Sequence, residues 1–325
     1  MTHVSPLLPK QGWRPQVHER LLTLIADQGA RSSQAAPPLA VFDFDNTCIL
    51  NDIGELFSHF LIDEMLYRYD LDAFWELIHP DDGRDALCEL TREAYALAPT
   101  ARTASACYQR YLREMGALYG RRLVRAGKAD CYEWAVRLHV GMTIARIEQL
   151  ATEAIVRELG REVHRERRES PSGSTVSIDR GIRMFAEIRT LIDVLTKSGF
   201  EVWIVSATNI WTVQTFAPLF GVPPERVLGN RLRVGEDGVL SSETLAPVLF
   251  RQGKVDAIAE YIGRIPVLAL GDSDTDYEML CAASELAIVV DQGNALLRDE
   301  ARRLGWAVQP QSELTPLDAA IGGLS

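Results

Sequence analysis

Short apolar runs that end abruptly in acidic residues constrain the fold of this chain more than any other feature of its sequence. Residues 39–42 (LAVF) are followed by Asp43 and Asp45, and residues 265–270 (IPVLAL) are followed, after one glycine, by Asp272. A continuous apolar run of this length is typical of a strand buried on both faces, as in a parallel sheet. We therefore expect both acidic groups to lie at the carboxyl ends of buried parallel strands.

Helical and strand-like patterns alternate after residue 175, which favours a parallel sheet with helices on both faces. A further apolar run, residues 202–205, ends at Ser206 and Thr208. Ligands of such sheets bind beyond the carboxyl ends of the strands. The predicted fold class is therefore α/β, with a Rossmann-like parallel sheet as its core.

The stretch from about residue 53 to residue 170 shows helical periodicity and nothing that resembles a strand. Its charged end, residues 161–170 (REVHRERRES), is interpreted as a solvated helix face. We therefore expect an all-helical domain inserted into the α/β core. The predicted segments are an N-terminal amphipathic helix with its linker (1–36), the catalytic core (37–52 and 175–325) and the helical insertion (53–174).

The overall composition excludes several classes of protein. The chain has 325 residues, with 34 Lys and Arg against 45 Asp and Glu, so its net charge is −11. A nucleic-acid-binding surface is basic, so we expect no nucleic-acid partner. We also expect no membrane partner, because every apolar run is far shorter than the roughly 20 residues that span a bilayer. The five scattered cysteines and the lack of a visible signal peptide predict reduced thiols in a cytoplasmic protein.

The acidic strand ends predict a metal site. Asp43 and Asp45 are separated by one residue, so two carboxylates lie close together and need a cation or a shared proton. Asp272, Asp274 and Asp276 crowd the second strand end. Hard oxygen ligands from few residues suit Mg²⁺. A helix–loop–helix calcium loop that starts at Asp272 is rejected, because it requires Gly and an acidic residue where the chain has Tyr277 and Ala283.

Two further positions suit a phosphate group. The hydroxyl of Ser206 and nearby backbone N–H groups, including that of Ala207, could hold an anion at a helix start. Lys254 is a point-charge donor for phosphate oxygens. One serine and one lysine carry little weight alone, but their order and their placement around two acidic strand ends suggest a phosphate site.

Taken together, these motifs resemble those of phosphatases of the haloacid dehalogenase superfamily. The FDFDNT and IVSAT segments and the large insertion after the first motif are most similar to the phosphoserine phosphatase and phosphorylcholine phosphatase branches. The resemblance implies that the insertion is a cap that closes over the site. The four motifs are Asp43-x-Asp45-x-Thr47, Ser206, Lys254 and Gly271-Asp272-Ser273-x-x-Asp276.

The resemblance also implies a role for each motif residue. Asp43 would be the nucleophile that forms an aspartyl-phosphate, and Asp45 the general acid and then the general base. Lys254 would neutralise negative charge on Asp43 and the phosphoryl group. Thr47 and Ser206 would bind the phosphoryl oxygens.

The same resemblance implies a bound Mg²⁺ ion. Its ligands would be Asp43, the backbone carbonyl of Asp45, and Asp272. Asp276 would lie outside this shell and orient Lys254 or a metal-bound water. Many relatives have a neutral residue and Asn where this chain has Asp274 and Thr275, which leaves open whether Asp274 joins the outer shell.

Substrate recognition depends on the residues that begin the insertion. Phosphoserine phosphatases have an acid at the position of Asp52, and phosphorylcholine phosphatases have acids matching Asp52 and Glu55, so the resemblance favours a cationic leaving group. The alternative is that both acids merely favour a helix N-terminus. Arg183 could meet an anionic group such as a carboxylate, or could simply lie at the surface.

The leading hypothesis is a Mg²⁺-dependent phosphomonoesterase for a small phosphorylated metabolite, with a preference for an amino-alcohol or amino-acid phosphate. One alternative is a phosphotransferase that passes the phosphoryl group to an acceptor other than water. Another is a non-catalytic protein that binds a phosphorylated ligand. A nucleotide-binding oxidoreductase is disfavoured, because no GxGxxG follows the first strand. The oligomeric state is left open.

Overall fold

The computed structural model describes residues 8–29, 36–169 and 175–318. Within these ranges the helices are, in chain order, α1 (Pro15–Gly29), α2 (Ile53–Asp63), α3 (Asp72–Glu76), α4 (Arg84–Tyr95), α5 (Pro99–Arg102), α6 (Ala106–Ala126), α7 (Lys128–Arg137), α8 (Ile144–Leu159), α9 (Ala186–Lys197), α10 (Ile210–Phe216), α11 (Gln252–Tyr261), α12 (Tyr277–Ala282) and α13 (Ala295–Leu304). No helix in these described ranges combines the length and apolarity needed to cross a bilayer.

The strands of the same ranges form one large sheet and three small ones. They are β1 (Leu39–Phe42), β2 (Ile49–Leu50), β3 (His164–Glu169), β4 (Thr175–Arg180), β5 (Arg183–Met184), β6 (Glu201–Asn209), β7 (Val227–Asn230), β8 (Leu232–Val234), β9 (Leu240–Thr244), β10 (Leu268–Gly271), β11 (Leu286–Asp291) and β12 (Ala307–Pro310).

The large sheet has six parallel strands in the order β12-β11-β10-β1-β6-β7. Strand β1 lies inside it, with Ala40 opposite Leu268 of β10 on one side and opposite Val202 of β6 on the other. Every residue of β1, β10 and β11 is buried, which explains why these strands are continuous apolar runs. The predicted α/β class with a parallel sheet is confirmed.

The chain divides into two compact units. The first comprises the described residues within Met1–Asp52, Ile182–Asn230 and Pro247–Ser325 and contains the six-stranded sheet. The second comprises those within Ile53–Gly181 and Arg231–Ala246 and contains α2 to α8. Residues 231–246 were predicted to belong to the core, but the structure assigns them to the second unit.

The N-terminal helix α1 belongs to the first unit, where it packs against β11 and β12. Its buried face consists mainly of Val17, Leu21, Leu24 and Ile25, as its helical spacing predicts. The side chain of Gln309 on β12 accepts a hydrogen bond from the backbone of Arg14 at 2.9 Å and donates one to the carbonyl of Gly12 at 3.1 Å. The sequence predicted this helix to be a separate segment, whereas in the structure it packs on the large sheet as part of the first unit.

The second unit is not entirely helical, so this detail of the prediction was wrong. Residues 164–169, interpreted as a solvated helix face, form β3 and pair with β4 in an antiparallel hairpin. Glu166 and Arg168 are two residues apart and therefore lie on one face of the strand. Glu166 forms ion pairs with Arg168 and with the fully buried Arg180. The charged residues of this segment therefore pair with one another on one face of a strand, not along a helix.

Candidate active site

The loop that follows β1 carries the first acidic pair. Phe44 is fully buried and makes edge contacts with Phe216 and Phe220, with ring centroids 5.2 and 5.8 Å away. Because alternate residues of an extended segment point to opposite sides, packing Phe44 into the core directs Asp43 and Asp45 away from it. This packing explains why an aromatic residue stands between the two acids.

Lys254 lies between two buried carboxylates. Its Nζ donates to Oδ1 of Asp43 and to Oδ1 of Asp276, both at 2.6 Å, and the lysine is fully buried. The opposite charges of the two acids raise the pKa of Lys254 further than burial lowers it, so the ammonium stays charged. The lysine lies in the first turn of α11. The residue before it must be glycine, because a Cβ on Gly253 would lie 1.8 Å from the carbonyl oxygen of Val248.

Asp276 is held in place by the loop after β10. Its Oδ2 accepts the backbone N–H groups of Asp272 and Ser273, each at 3.1 Å. This close approach requires Gly271, because a Cβ there would lie 2.5 Å from the Cβ of Asp276. Both carboxylate oxygens of Asp276 therefore accept hydrogen bonds, Oδ1 from Lys254 and Oδ2 from the two backbone N–H groups.

Asp272 is the third buried acid of the site. Gln292, in the loop after β11, donates through Nε2 to Asp272 Oδ2 at 2.6 Å. The hydroxyl of Thr47 donates to Asp272 Oδ1 at 3.4 Å, and Thr47 itself is fully buried. In the structure the Thr47 hydroxyl contacts Asp272. Its contact with phosphoryl oxygens stays a prediction.

Carboxylate oxygens from Asp43, Asp272 and Asp276 lie within 4.8 Å of one another. Burial and the charge of Asp276 raise the pKa of Asp43 to about 6, against the opposing effect of Lys254. Burial and the charges of Asp43 and Asp276 raise the pKa of Asp272 well above its ordinary value. Raised pKa values in a buried acidic cluster mean that the ionised site needs more positive charge than Lys254 supplies, which is a condition that a divalent cation meets.

Asp45 faces the end of β6. Its Oδ2 accepts the hydroxyl of Thr208 at 2.8 Å and that of Ser206 at 3.4 Å. The Ser206 hydroxyl also accepts the backbone N–H of Thr208 at 3.1 Å. The two motifs are 161 positions apart in sequence but share hydrogen bonds, because β1 and β6 are neighbours in the sheet.

Two residues of the site were missed from the sequence. Thr208 was noted at a strand end without a role, although its position two residues after Ser206 places both side chains on one face of β6. Gln292 was not singled out, because it lies in the turn after an apolar run that ends at Asp291, and such a turn does not show which neighbour its side chain meets.

Two further predicted site residues lie on β5 and α2. Arg183 is on β5, opposite Leu50 of β2, and its Nη1 donates to the carbonyl of Ile182 at 2.7 Å. Glu55 lies in the first turn of α2 in the second unit, 3.7 Å from His59. The proposed roles of these side chains stay predictions.

The remaining predicted positions are backbone or loop sites of the first unit. Asp52 is its last residue before α2. The carbonyl of Ala207 accepts the side-chain amide of Asn230 at 2.7 Å. Asp274 begins the 3₁₀ turn that ends at Asp276. The roles of these positions in binding substrate or ordering the metal shell also stay predictions.

Comparison with known proteins identifies the class to which this fold and site belong. The chain matches the haloacid dehalogenase-like hydrolase family over residues 108–280, which is more than half of its 325 residues. It therefore belongs to that family, and the resemblance inferred from the motifs is confirmed at this level. No curated protein sequence matches the chain.

Two solved structures share the fold at low sequence identity, and a third is a more distant match. A conserved protein of unknown function from Anaerococcus prevotii DSM 20548 is 23% identical, with a TM-score of 0.80 and 93% of each chain covered. A protein of unknown function from Bordetella pertussis Tohama I is 16% identical, with a TM-score of 0.55 and coverage of 84% of this chain and 98% of that one. A substrate-bound phosphoserine phosphatase is more distant, at 17% identity and a TM-score of 0.45, with 86% of this chain and 95% of that one covered.

Proposed function

We propose that this protein is a Mg²⁺-dependent phosphomonoesterase that hydrolyses a small phosphorylated metabolite through an aspartyl-phosphate on Asp43. The observation that carries the proposal is the buried group at the end of β1, where Lys254 Nζ lies 2.6 Å from Asp43 and from Asp276. A carboxylate paired with a fixed ammonium can attack phosphorus while the charge that builds up is neutralised nearby.

Asp43 carries the covalent step in this proposal. Because Lys254 holds Oδ1, the other oxygen of Asp43 attacks phosphorus, a new O–P bond forms, and the ester P–O bond breaks. The leaving alcohol takes a proton from Asp45. Water then attacks the phosphorus of the aspartyl-phosphate, Asp45 accepts the proton of that water, and inorganic phosphate and the free carboxylate are released.

Asp45 is suited to this double role by its hydrogen bonds. Thr208 and Ser206 both donate to one oxygen, Oδ2. These donors fix the orientation of the carboxyl group that is proposed to give and take the proton. A fixed orientation matters because proton transfer requires the donor and acceptor atoms to lie within hydrogen-bond reach.

The acidic cluster fits a Mg²⁺ ion held by Asp43, Asp272 and the backbone carbonyl of Asp45. Asp276 is less suitable as a ligand, since its oxygens accept hydrogen bonds from Lys254 and two backbone N–H groups. When bound, the ion would supply charge neutralisation for the transferring phosphoryl group. Gln292 would orient Asp272 by holding Oδ2 at 2.6 Å.

The metal proposal predicts a pH dependence with a definite sign. The raised pKa of Asp43, about 6, means that the metal-free fold keeps a proton that the unfolded chain loses near its ordinary value of 3.8. Stability without metal should therefore fall as pH rises between these two values. Mg²⁺ requires ionised carboxylates, so the rise in Tm on adding Mg²⁺ should be small at about pH 5 and large at about pH 7.5.

Thermal unfolding with Mg²⁺ and with EDTA at both pH values measures this effect. Asp272→Asn should abolish most of the increment caused by Mg²⁺, whereas Asp256→Asn, an exposed change on α11, should leave it intact. An increment that is equal at both pH values, or that survives Asp272→Asn, would refute the assignment of the site.

We further propose that the second unit acts as the cap and that the leaving group is cationic, as in an amino-alcohol or amino-acid phosphate. Glu55 supports this preference, because it stands in the first turn of α2 and half of its side chain is exposed. Asp52 directly precedes the same helix. Two carboxylates at the start of α2 would attract an ammonium group by charge.

A panel of phosphomonoesters tests the substrate class. We expect phosphoserine, phosphocholine and phosphoethanolamine to be hydrolysed with higher kcat/KM than sugar phosphates or nucleotides in Mg²⁺. Glu55→Gln should lower kcat/KM for the amine phosphates by roughly tenfold, since one charge contact is worth about 1 to 2 kcal/mol.

The same variant should hydrolyse p-nitrophenyl phosphate at the wild-type rate, since that ester carries no amine. Glu64→Gln, a change of an exposed acid near the end of the same helix, is the matched control. A uniform preference for sugar phosphates would exclude a cationic leaving group.

A further inference from the structure

The first unit contains a large cavity that the acids of the acidic cluster do not line. It measures about 1100 Å³ and lies among α1, α13, β12 and the loop after β11. None of Asp43, Asp45, Ser206 or Lys254 lines it. All of its lining residues belong to the described part of the first unit, so the cavity is formed by that unit alone.

Four arginines line this cavity. They are Arg14 and Arg20 from the N-terminal segment and Arg298 and Arg302 from α13. Arg14 is ion-paired with Glu313 at 2.8 Å, and Arg298 is ion-paired at 3.0 Å with Asp291, the one acid among the described residues of the lining. Arg20 and Arg302 supply the positive charge that these two acids leave at the wall, on a chain whose net charge is −11. A concave site concentrates the field of such charges.

The hydrogen bonds described for these arginines leave donors unused. Arg20 donates through Nη1 to the carbonyl of Gly305 at 2.9 Å, and Arg302 donates through Nη1 to Asp299 at 2.6 Å. A guanidinium carries five N–H donors, so each of these side chains can bind a second acceptor. The Arg302 ion pair is largely exposed on both sides, and an exposed pair of this kind is weak enough to be exchanged.

Two further lining residues connect the cavity wall to the catalytic loops. Gln292 donates to Asp272 at 2.6 Å, and Gln311 donates to the carbonyl of Asn46, between Asp45 and Thr47, at 2.7 Å. An occupant of the cavity would thus touch side chains that also support the acidic cluster, although it would not touch the cluster itself.

We propose that this cavity is a second binding site, for a small molecule that carries several anionic oxygen groups. Arginine binds phosphate and carboxylate groups through two parallel hydrogen bonds, so a polyphosphate and a polycarboxylate share the required chemistry. More than one anionic group is needed to bind both Arg20 and Arg302, which come from different helices. This site goes beyond the proposed phosphatase reaction and does not depend on it.

Titration calorimetry on the full chain in EDTA tests the proposal, with inorganic tripolyphosphate and citrate as the two probes. Tight binding of either probe supports the site and identifies its anion class. The double variant Arg20→Gln/Arg302→Gln should weaken that binding by roughly tenfold or more, the effect of losing about 1.4 kcal/mol. A matched variant, Arg146→Gln/Arg303→Gln, removes the same charge from exposed helix positions outside the cavity and should change binding less than about twofold.

Ser206→Ala separates this site from the proposed phosphate site, because it removes a hydroxyl at the end of β6 and does not alter the lining of the cavity. Binding that Ser206→Ala retains and Arg20→Gln/Arg302→Gln loses supports the proposal. The proposal is overturned if neither probe binds, if the matched control loses as much affinity as the cavity variant, or if Ser206→Ala abolishes binding.

Discussion

Asp43→Asn is expected to abolish hydrolysis of p-nitrophenyl phosphate in Mg²⁺ while the protein keeps its fold. An amide oxygen cannot displace the leaving group, so kcat should fall by at least about three orders of magnitude, as for other enzymes that lose their nucleophile. The substitution is nearly isosteric, and the Asn oxygen can still accept the hydrogen bond of Lys254. Steady-state kinetics and urea unfolding of the same preparation measure both parts.

The stability of this variant is informative as well. The raised pKa of Asp43 shows that its ionised form is unfavourable in the metal-free fold. Above pH 6 in EDTA, therefore, Asp43→Asn should lower the free energy of unfolding by no more than about 1 kcal/mol. In Mg²⁺, the variant should lose most of the stabilisation that the ion gives the wild type. Asp256→Asn is the control for both measurements, and undiminished turnover by Asp43→Asn would refute the assignment of the nucleophile.

The acidic cluster could be predicted because it depends on strand ends. Asp43 and Asp272 each follow a continuous apolar run, and parallel strands bring their carboxyl ends to one edge of a sheet. The structure pairs β1 directly with β10, so residues more than 200 positions apart come together. Their identity as metal ligands stays a prediction, but their proximity follows from the sheet.

Other contacts carry no periodic signal in the sequence. Gln292 reaches Asp272 from a loop whose conformation depends on Asp291, which accepts the backbone N–H groups of Gly293 and Asn294. A turn of this kind does not reveal which neighbour its side chains will meet. The hairpin of β3 and β4 escaped prediction for a different reason, since Glu166 pairs with the buried Arg180 of β4, a partner that the charges of β3 alone do not reveal.

Lys254→Met is expected to have the largest effect on stability of any single substitution in the site. It removes the ammonium that lies 2.6 Å from Asp43 and from Asp276 and leaves both carboxylates buried without their cation. Removing one partner of a buried ion pair costs about 3 to 5 kcal/mol, so the free energy of unfolding should fall by that amount. Catalysis should be lost too, because charge on the phosphoryl group would no longer be neutralised.

A double-mutant cycle with Asp276→Asn isolates the ion pair from the loss of packing. In Lys254→Met/Asp276→Asn one of the two uncompensated charges is gone, so the double variant should be more stable than Lys254→Met alone by about 1 to 3 kcal/mol. Lys197→Met, which removes an exposed lysine paired with Asp193 on α9, should cost less than about 0.5 kcal/mol and serves as the control. Urea unfolding at pH 7 in EDTA gives the free energies of unfolding of the wild type, the two single variants, the double variant and the control. If Lys254→Met costs no more than Lys197→Met, the lysine does not compensate a buried pair of acids. If the double variant shows no rescue, Asp276 is not its partner.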